Sequence, residues 1–166
     1  MLLLSNHMIF SHNHFYVYDN AVDLPGLDWT DLHIQQGFAR RPSTVGFSTL
    51  VEFGTATLRV YGDGYAKNKL FQRVISVPFE SITGEILIEG PEEFDVNRSI
   101  FLEVGHYELF VAQKTVSSNP LDAIQEEIEI FFVKTDDIPL RSKIIVADEN
   151  IDSSVLTETA ETMDVS

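Results

Sequence analysis

His12 and His14 sit one residue apart in a run that continues through Phe15, Tyr16, Val17 and Tyr18. On an extended strand they would point the same way about 7 Å apart, a feasible pair of metal ligands beside Tyr16 and Tyr18. A metal site needs three or four placed ligands, and no third is obvious, although His7 and His106 exist. Local hydrogen bonding of the imidazoles on a polar, aromatic strand face is the simpler expectation. Carboxylates cluster twice, as Glu92-Glu93 with Asp95 and as Glu126-Glu127 with Glu129. Paired carboxylates can do acid–base work or hold a hard cation. Neither cluster has the D-x-[DN]-x-[DN]-G spacing of a calcium loop. A solvated loop, or one strand face for Glu127 and Glu129, explains them best, a partner surface next and catalysis last.

Nucleophilic machinery is missing as a signal. The chain has no cysteine, which excludes disulfides, thiolate catalysis and Cys-ligated metals. It has no G-x-S-x-G elbow, no Walker A loop and no G-x-G-x-x-G, and Gly62-Asp63-Gly64 reads as a turn. No catalytic residue, metal or cofactor is therefore expected. The single tryptophan, Trp29, stands between acids in Asp28-Trp29-Thr30-Asp31. It could be an aromatic anchor ringed by carboxylates, suited to a basic partner. It could equally plug an open end of the fold and hold down a short helix, and this second reading is favoured.

The elements that must carry these residues are short strands. Val45, Phe47, Thr49, Val51 and Phe53 share one parity, as do Ala56, Leu58 and Val60. Phe71 to Phe79, Ile86 and Ile88, Ile100 to Val104, Tyr107 to Val111 and Ile128 to Lys134 continue the period of two, which marks half-buried strands. Met8–Tyr18 adds an aromatic strand region, and Lys143–Ala147 a possible last strand. Turn signals at Gly54, Thr83-Gly84, Gly90-Pro91 and Ser117–Pro120 separate them. The pattern predicts an all-β, antiparallel β-sandwich. Residues 28–37 break it as one short helix closing an end, capped by Asp28 and stopped by Gly37.

With 166 residues, one domain is expected, burying roughly two-thirds of its unfolded surface. The body spans 8–134, extended to 147 by the possible strand. Residues 148–166 are acidic, small and free of aromatics, and are expected to be a disordered tail. The net charge is −15, of which residues 135–166 carry −6 (8 acids, 2 bases) and residues 1–134 carry −9 (18 acids, 9 bases). Phosphates would be repelled, so direct binding to nucleic acid or an anionic membrane is not expected. A basic partner is, with association that slows as salt rises. The start lacks a basic region and its apolar run is short for a signal peptide, so a cytoplasmic protein is expected.

Several strings resemble one family. Leu27-Asp28-Trp29-Thr30-Asp31, then Ile34 and Gly37-Phe38-Ala39, resemble the MDWTD…I…GYA stretch of the competence protein J family. Phe15–Tyr18 is similar to its early aromatic strand. Val74–Phe79 followed by Gly84–Glu89 is similar to its V-x-V-P-F…G-I-x-I-E pair, and Leu102–Leu109 to its L-x-x-G-x-Y-x-L segment. The resemblance covers roughly 8–134, while the acidic end and Arg40-Arg41-Pro42 depart from it. It implies a small bacterial inhibitor of a metal-dependent DNase, and only Asp28, Trp29, Thr30 and Asp31 carry over as motif positions. The resulting expectation is a non-catalytic, acidic DNA mimic or nuclease-toxin immunity protein. It would block the cationic groove of a basic nuclease through Asp28, Trp29 and Asp31, supported by Glu92, Glu93 and Asp95. The alternative is a small-ligand or carbohydrate-binding module using His12, His14, Tyr16 and Tyr18, and a metal-dependent enzyme on that face comes third.

Overall fold

The period-two runs become two facing sheets in the computed structural model, which describes residues 1–66, 70–91, 98–136, 140–152 and 156–163. The elements in chain order are β1 (Leu2–Phe10), β2 (His14–Asp19), α1 (Asp31–Gln36), β3 (Phe38–Arg41), β4 (Thr44–Ser48) and β5 (Gly54–Tyr61). They continue as β6 (Arg73–Ser81), β7 (Glu85–Glu89), β8 (Ser99–Phe101), β9 (Gly105–Thr115), β10 (Glu126–Lys134) and β11 (Lys143–Val146). One sheet has the order β1-β5-β10-β9-β6-β11 and the other β3-β4-β2-β7-β8. Pairing is antiparallel except between β5 and β10, which run parallel. The fold is all-β.

Parity decides what faces inward. Ala56, Leu58 and Val60 of β5, Ile128, Ile130 and Phe132 of β10 and Leu109 and Val111 of β9 meet Phe15, Val17, Val45, Phe47, Ile86 and Ile88 of the opposite sheet. Six phenylalanines, at 10, 15, 38, 47, 79 and 132, are fully buried. Burying each such side chain stabilises by roughly 1.5–3 kcal/mol, so the core needs no cross-link. Asp19 ties β2 to the turn between β6 and β7. Its carboxylate accepts from the Ala21, Ile82 and Thr83 amides and from the Thr83 hydroxyl. Burial would raise this carboxyl, but those bonds prevail and hold it below its ordinary range.

The structure differs from the sequence expectations in its strand limits, its helix cap and its C-terminal end, and the expected run Ile100 to Val104 stops at Phe101. Met8–Tyr18 is not one strand. It breaks at a two-residue turn in which His12 and Asn13 both have positive φ, 56° and 64°, the twist-matching reversal of a hairpin. The run 45–53 stops at Ser48, and Phe53 ends 54% exposed. Asp28 does not cap the helix: α1 begins at Asp31 behind an extended Thr30. The end from Asp148 is not a free tail over its described residues, 148–152 and 156–163. Ile151 and Leu156 pack on the core, and Ala160 is buried against the outer side of the five-stranded sheet.

Candidate functional site

The helix that carries the D-W-T-D string is six residues long, too short to stand alone. Two buried polar side chains hold it. The Thr30 amide donates to His33 Nδ1 at 2.9 Å, so Nε2 carries the hydrogen and donates to the Thr159 carbonyl at 2.9 Å. Gln36 donates to the carbonyls of Phe38 and Thr157 and accepts from the Thr157 amide. Gly37, at φ 84°, ends the helix and returns its N–H to the His33 carbonyl. Nothing larger fits there without strain, because left-handed backbone favours glycine.

Those partners at 157 and 159 belong to a C-terminal strap that lies across α1 and β3. Arg40 Nη1 donates to the Glu158 carbonyl and Arg41 Nη1 to that of Ala160. The Asp28 amide donates to the Glu161 carbonyl at 2.9 Å, and the Met163 amide to Gly26 at 3.0 Å, around an antiparallel bridge between Leu27 and Thr162. Leu27 and Ala160 thereby cover Tyr16 and Ala39 on the outer sheet face.

Beside this patch lies an open groove of about 390 Å³. Its aromatic wall is His14, Tyr16 and the half-buried Trp29. His14 meets Tyr16 edge-on at 5.3 Å and Trp29 at 6.2 Å between ring centroids. Trp29 Nε1 points to the Tyr16 hydroxyl at 3.4 Å. Ile34, 60% exposed, and Met163, 40% exposed, supply the apolar rim, and the exposed Asp28 the carboxylate. The groove depends on Gly46 of β4. A Cβ there would lie 2.8 Å from Tyr16 Cε1 and 3.0 Å from Trp29 Cζ2. Tyr16 is pinned beneath Leu27, so Trp29 must yield. Gly46→Ala should therefore shift Trp29 emission to the red and cost about 1–3 kcal/mol in a denaturant melt. Unchanged emission would show that Trp29 is not packed over β4.

Residues 7–133 match the family profile of competence protein J (ComJ). The chain belongs to the ComJ family. The fold agrees with the crystal structure of ComJ from Bacillus subtilis, described as an inhibitor of the DNA degrading activity of NucA. The two superpose with a TM-score of 0.66 at 20% identity, over 81% of this chain and 98% of that one. A protein described as crocagin biosynthetic gene J superposes with a TM-score of 0.50 at 12% identity, over 79% of this chain and 96% of that one. No curated protein sequence matches the chain. The ComJ profile takes in His14, Tyr16, Gly46 and Asp28–Asp31, and ends before β11 and the strap.

Of the residues expected to meet a partner, the structure brings Asp28 and Trp29 into the groove. Asp31 opens the helix next to them, exposed, but does not line the groove. Glu92, Glu93 and Asp95 lie outside the described residues. Trp29 does not plug an end of the sandwich, because it packs on the outer face of the five-stranded sheet. Glu161 and Met163 were missed. Their only sequence context is an acidic, aromatic-free end, and nothing in it announces backbone pairing with Gly26 and Asp28.

The proposed ligand face is not an open one. His12 sits in the turn rather than on a strand, with Nδ1 3.0 Å from Ser11 Oγ, and His14 Nδ1 donates to the His12 carbonyl at 2.8 Å. Tyr16 is 6% exposed. The Tyr18 hydroxyl donates to Glu89 at 2.7 Å, and burial with that carboxylate raises its ionisation well above the usual range. The second acid cluster disperses too. Glu126 points into the core, Glu127 pairs with Lys114 at 3.2 Å and Glu129 with Arg59 at 3.5 Å. Among the described residues no group of three or more His, Asp or Glu is placed to hold a metal ion.

Proposed function

We propose that this chain is a protein inhibitor of a DNase that works by occupying the enzyme's DNA-binding surface and catalyses nothing. Membership of the ComJ family over 7–133 carries the reading. The fold likeness to ComJ, described as an inhibitor of the DNA degrading activity of NucA, supports it. The charge of −15 supports the acidic, DNA-mimicking form of the idea, since an enzyme surface that holds phosphates is cationic. The face we assign to the nuclease is the one around Trp29, where the carboxylates of Asp28, Asp31 and Glu161 are all exposed.

The test is titration of the chain into DNA degradation by the basic DNase of its own source organism, with NucA as the heterologous comparison. Stoichiometric loss of degradation, weakening as salt rises, is expected. No effect on the native DNase at low salt would end the inhibitor reading. Reversing both charges in Asp28→Lys with Asp31→Lys should slow association about 10- to 100-fold at low salt, because charge complementarity acts chiefly on the encounter rate. Both side chains are exposed, so the variant should fold normally. Unchanged association would move the contact away from this face.

A further inference from the structure

We infer that the groove beside Trp29 is a receptor for one arginine side chain, which a basic partner inserts as its anchor. The inference takes the source of that arginine from the inhibitor reading, but its chemistry stands on the groove. One wall is aromatic, with the Trp29 indole flanked by His14 and Tyr16. An indole face attracts a guanidinium more strongly than any other side-chain ring. Ile34 and Met163 form an apolar rim, against which the three methylenes of an arginine can lie while its head stays polar.

Hydrogen-bond acceptors stand around that wall, together with the Asn13 amide and the Ser48 hydroxyl, which donates to the Gly37 carbonyl. The Asp28 carboxylate is exposed, and among the described residues no cation pairs with it. His14 is held in place by donating Nδ1–H to the His12 carbonyl at 2.8 Å. Among the described residues no lysine or arginine lines the groove. The nearby bases are already engaged, Arg40 on Glu158 and Arg41 on Ala160. The volume, about 390 Å³, lies at the small end for ligand sites and suits a single side chain rather than a peptide strand. A guanidinium matches this set better than an ammonium, since its planar fork can stack on the indole and still reach the carboxylate.

The sole tryptophan makes the experiment direct. In the full chain, Trp29 gives one indole N–H resonance and the whole of the tryptophan emission. The probe is a blocked Gly-Arg-Gly tripeptide, with Gly-citrulline-Gly as its uncharged isostere. A saturable shift of the indole resonance at millimolar Gly-Arg-Gly is expected. Citrulline should bind about tenfold more weakly, the loss of one cation–π contact and one ion pair. Asp28→Asn should weaken Gly-Arg-Gly by a similar factor while leaving the melting curve in place. No indole shift with Gly-Arg-Gly, or equal shifts with both peptides, overturns the arginine receptor. The two ideas fail separately. A chain that inhibits its DNase but ignores the arginine peptide keeps the inhibitor reading and loses this one. A chain that binds the peptide at Trp29 but inhibits no DNase keeps the receptor and loses the nuclease.

Discussion

Arg73→Ala should destabilise the protein by about 3–5 kcal/mol, the usual cost of removing one partner from a buried ion pair. Arg73 is 2% exposed. Its Nε and Nη2 meet the two Asp148 oxygens at 2.7 and 3.1 Å, and its Nη1 reaches Ser48 Oγ at 2.7 Å and the Ser48 carbonyl at 3.2 Å. Alanine leaves the Asp148 carboxylate largely buried and uncompensated. It also frees the point where the C-terminal segment first anchors to the body. In a thermal melt the midpoint should fall by roughly 10 °C for a chain of this size. Replacing both partners together, as Arg73→Met with Asp148→Leu, should recover much of the loss, because no charge is then stranded. A fall of less than about 2 °C in the single variant would show that water reaches the pair and screens it.

This pair illustrates what could be read from the sequence and what could not. Arg73 falls on the same parity as Ile75, Val77 and Phe79, so its inward direction was legible. Its partner was not, because Asp148 lies 75 residues away in a stretch whose composition reads as solvated. The same holds for the whole strap. Its grip is made by the main chain of residues 157–163, accepting from His33, Gln36, Arg40, Arg41 and Asp28 and donating to Gln36 and Gly26. Backbone groups carry no compositional signature. β3 escaped for a related reason. Phe38 faces the core and Ala39 faces the strap, so both are buried and the alternation that marks a strand is erased.

The candidate site divides along the same line. Asp28 and Trp29 were legible because the D-W-T-D string is distinctive and sits at the start of a helix. The aromatic face of β2 was legible as a face, but not as a covered one, since Leu27 and Ala160 arrive from two distant loops. His12 was misplaced because a period-two pattern says nothing about where a hairpin turns. His12 and Asn13 are both residue types enriched at positive φ, so the turn is compatible with its sequence without being marked by it.

Glu126 supplies a prediction with a defined pH window. It starts β10 pointing inward, without exposure. Burial pushes its carboxyl up to about 7, against the opposing pull of the Leu50 amide, Gln113, the Val51 amide and the Arg73 charge. The folded state therefore holds a proton that the unfolded chain gives up near 4.5. This proton favours the native state fully below that lower value, and the benefit is lost as pH rises through about 7. By about pH 8 the loss amounts to about 3 kcal/mol. Glu126→Gln removes the charge and keeps the shape. The Gln113 amide beside it has an Oε1 without a partner, which a rotated amide can offer to the new NH₂. The variant should be more stable than the parent at about pH 8 by up to about 3 kcal/mol and nearly equal to it below about pH 5. Denaturant melts across that range decide the matter. Parallel stability curves for parent and variant would mean that the Glu126 carboxyl ionises normally. The two networks are also coupled. Removing Arg73 takes away a positive charge that favours ionised Glu126, so Arg73→Ala should move the Glu126 transition to still higher pH, and its stability deficit should be smaller in acid than in base.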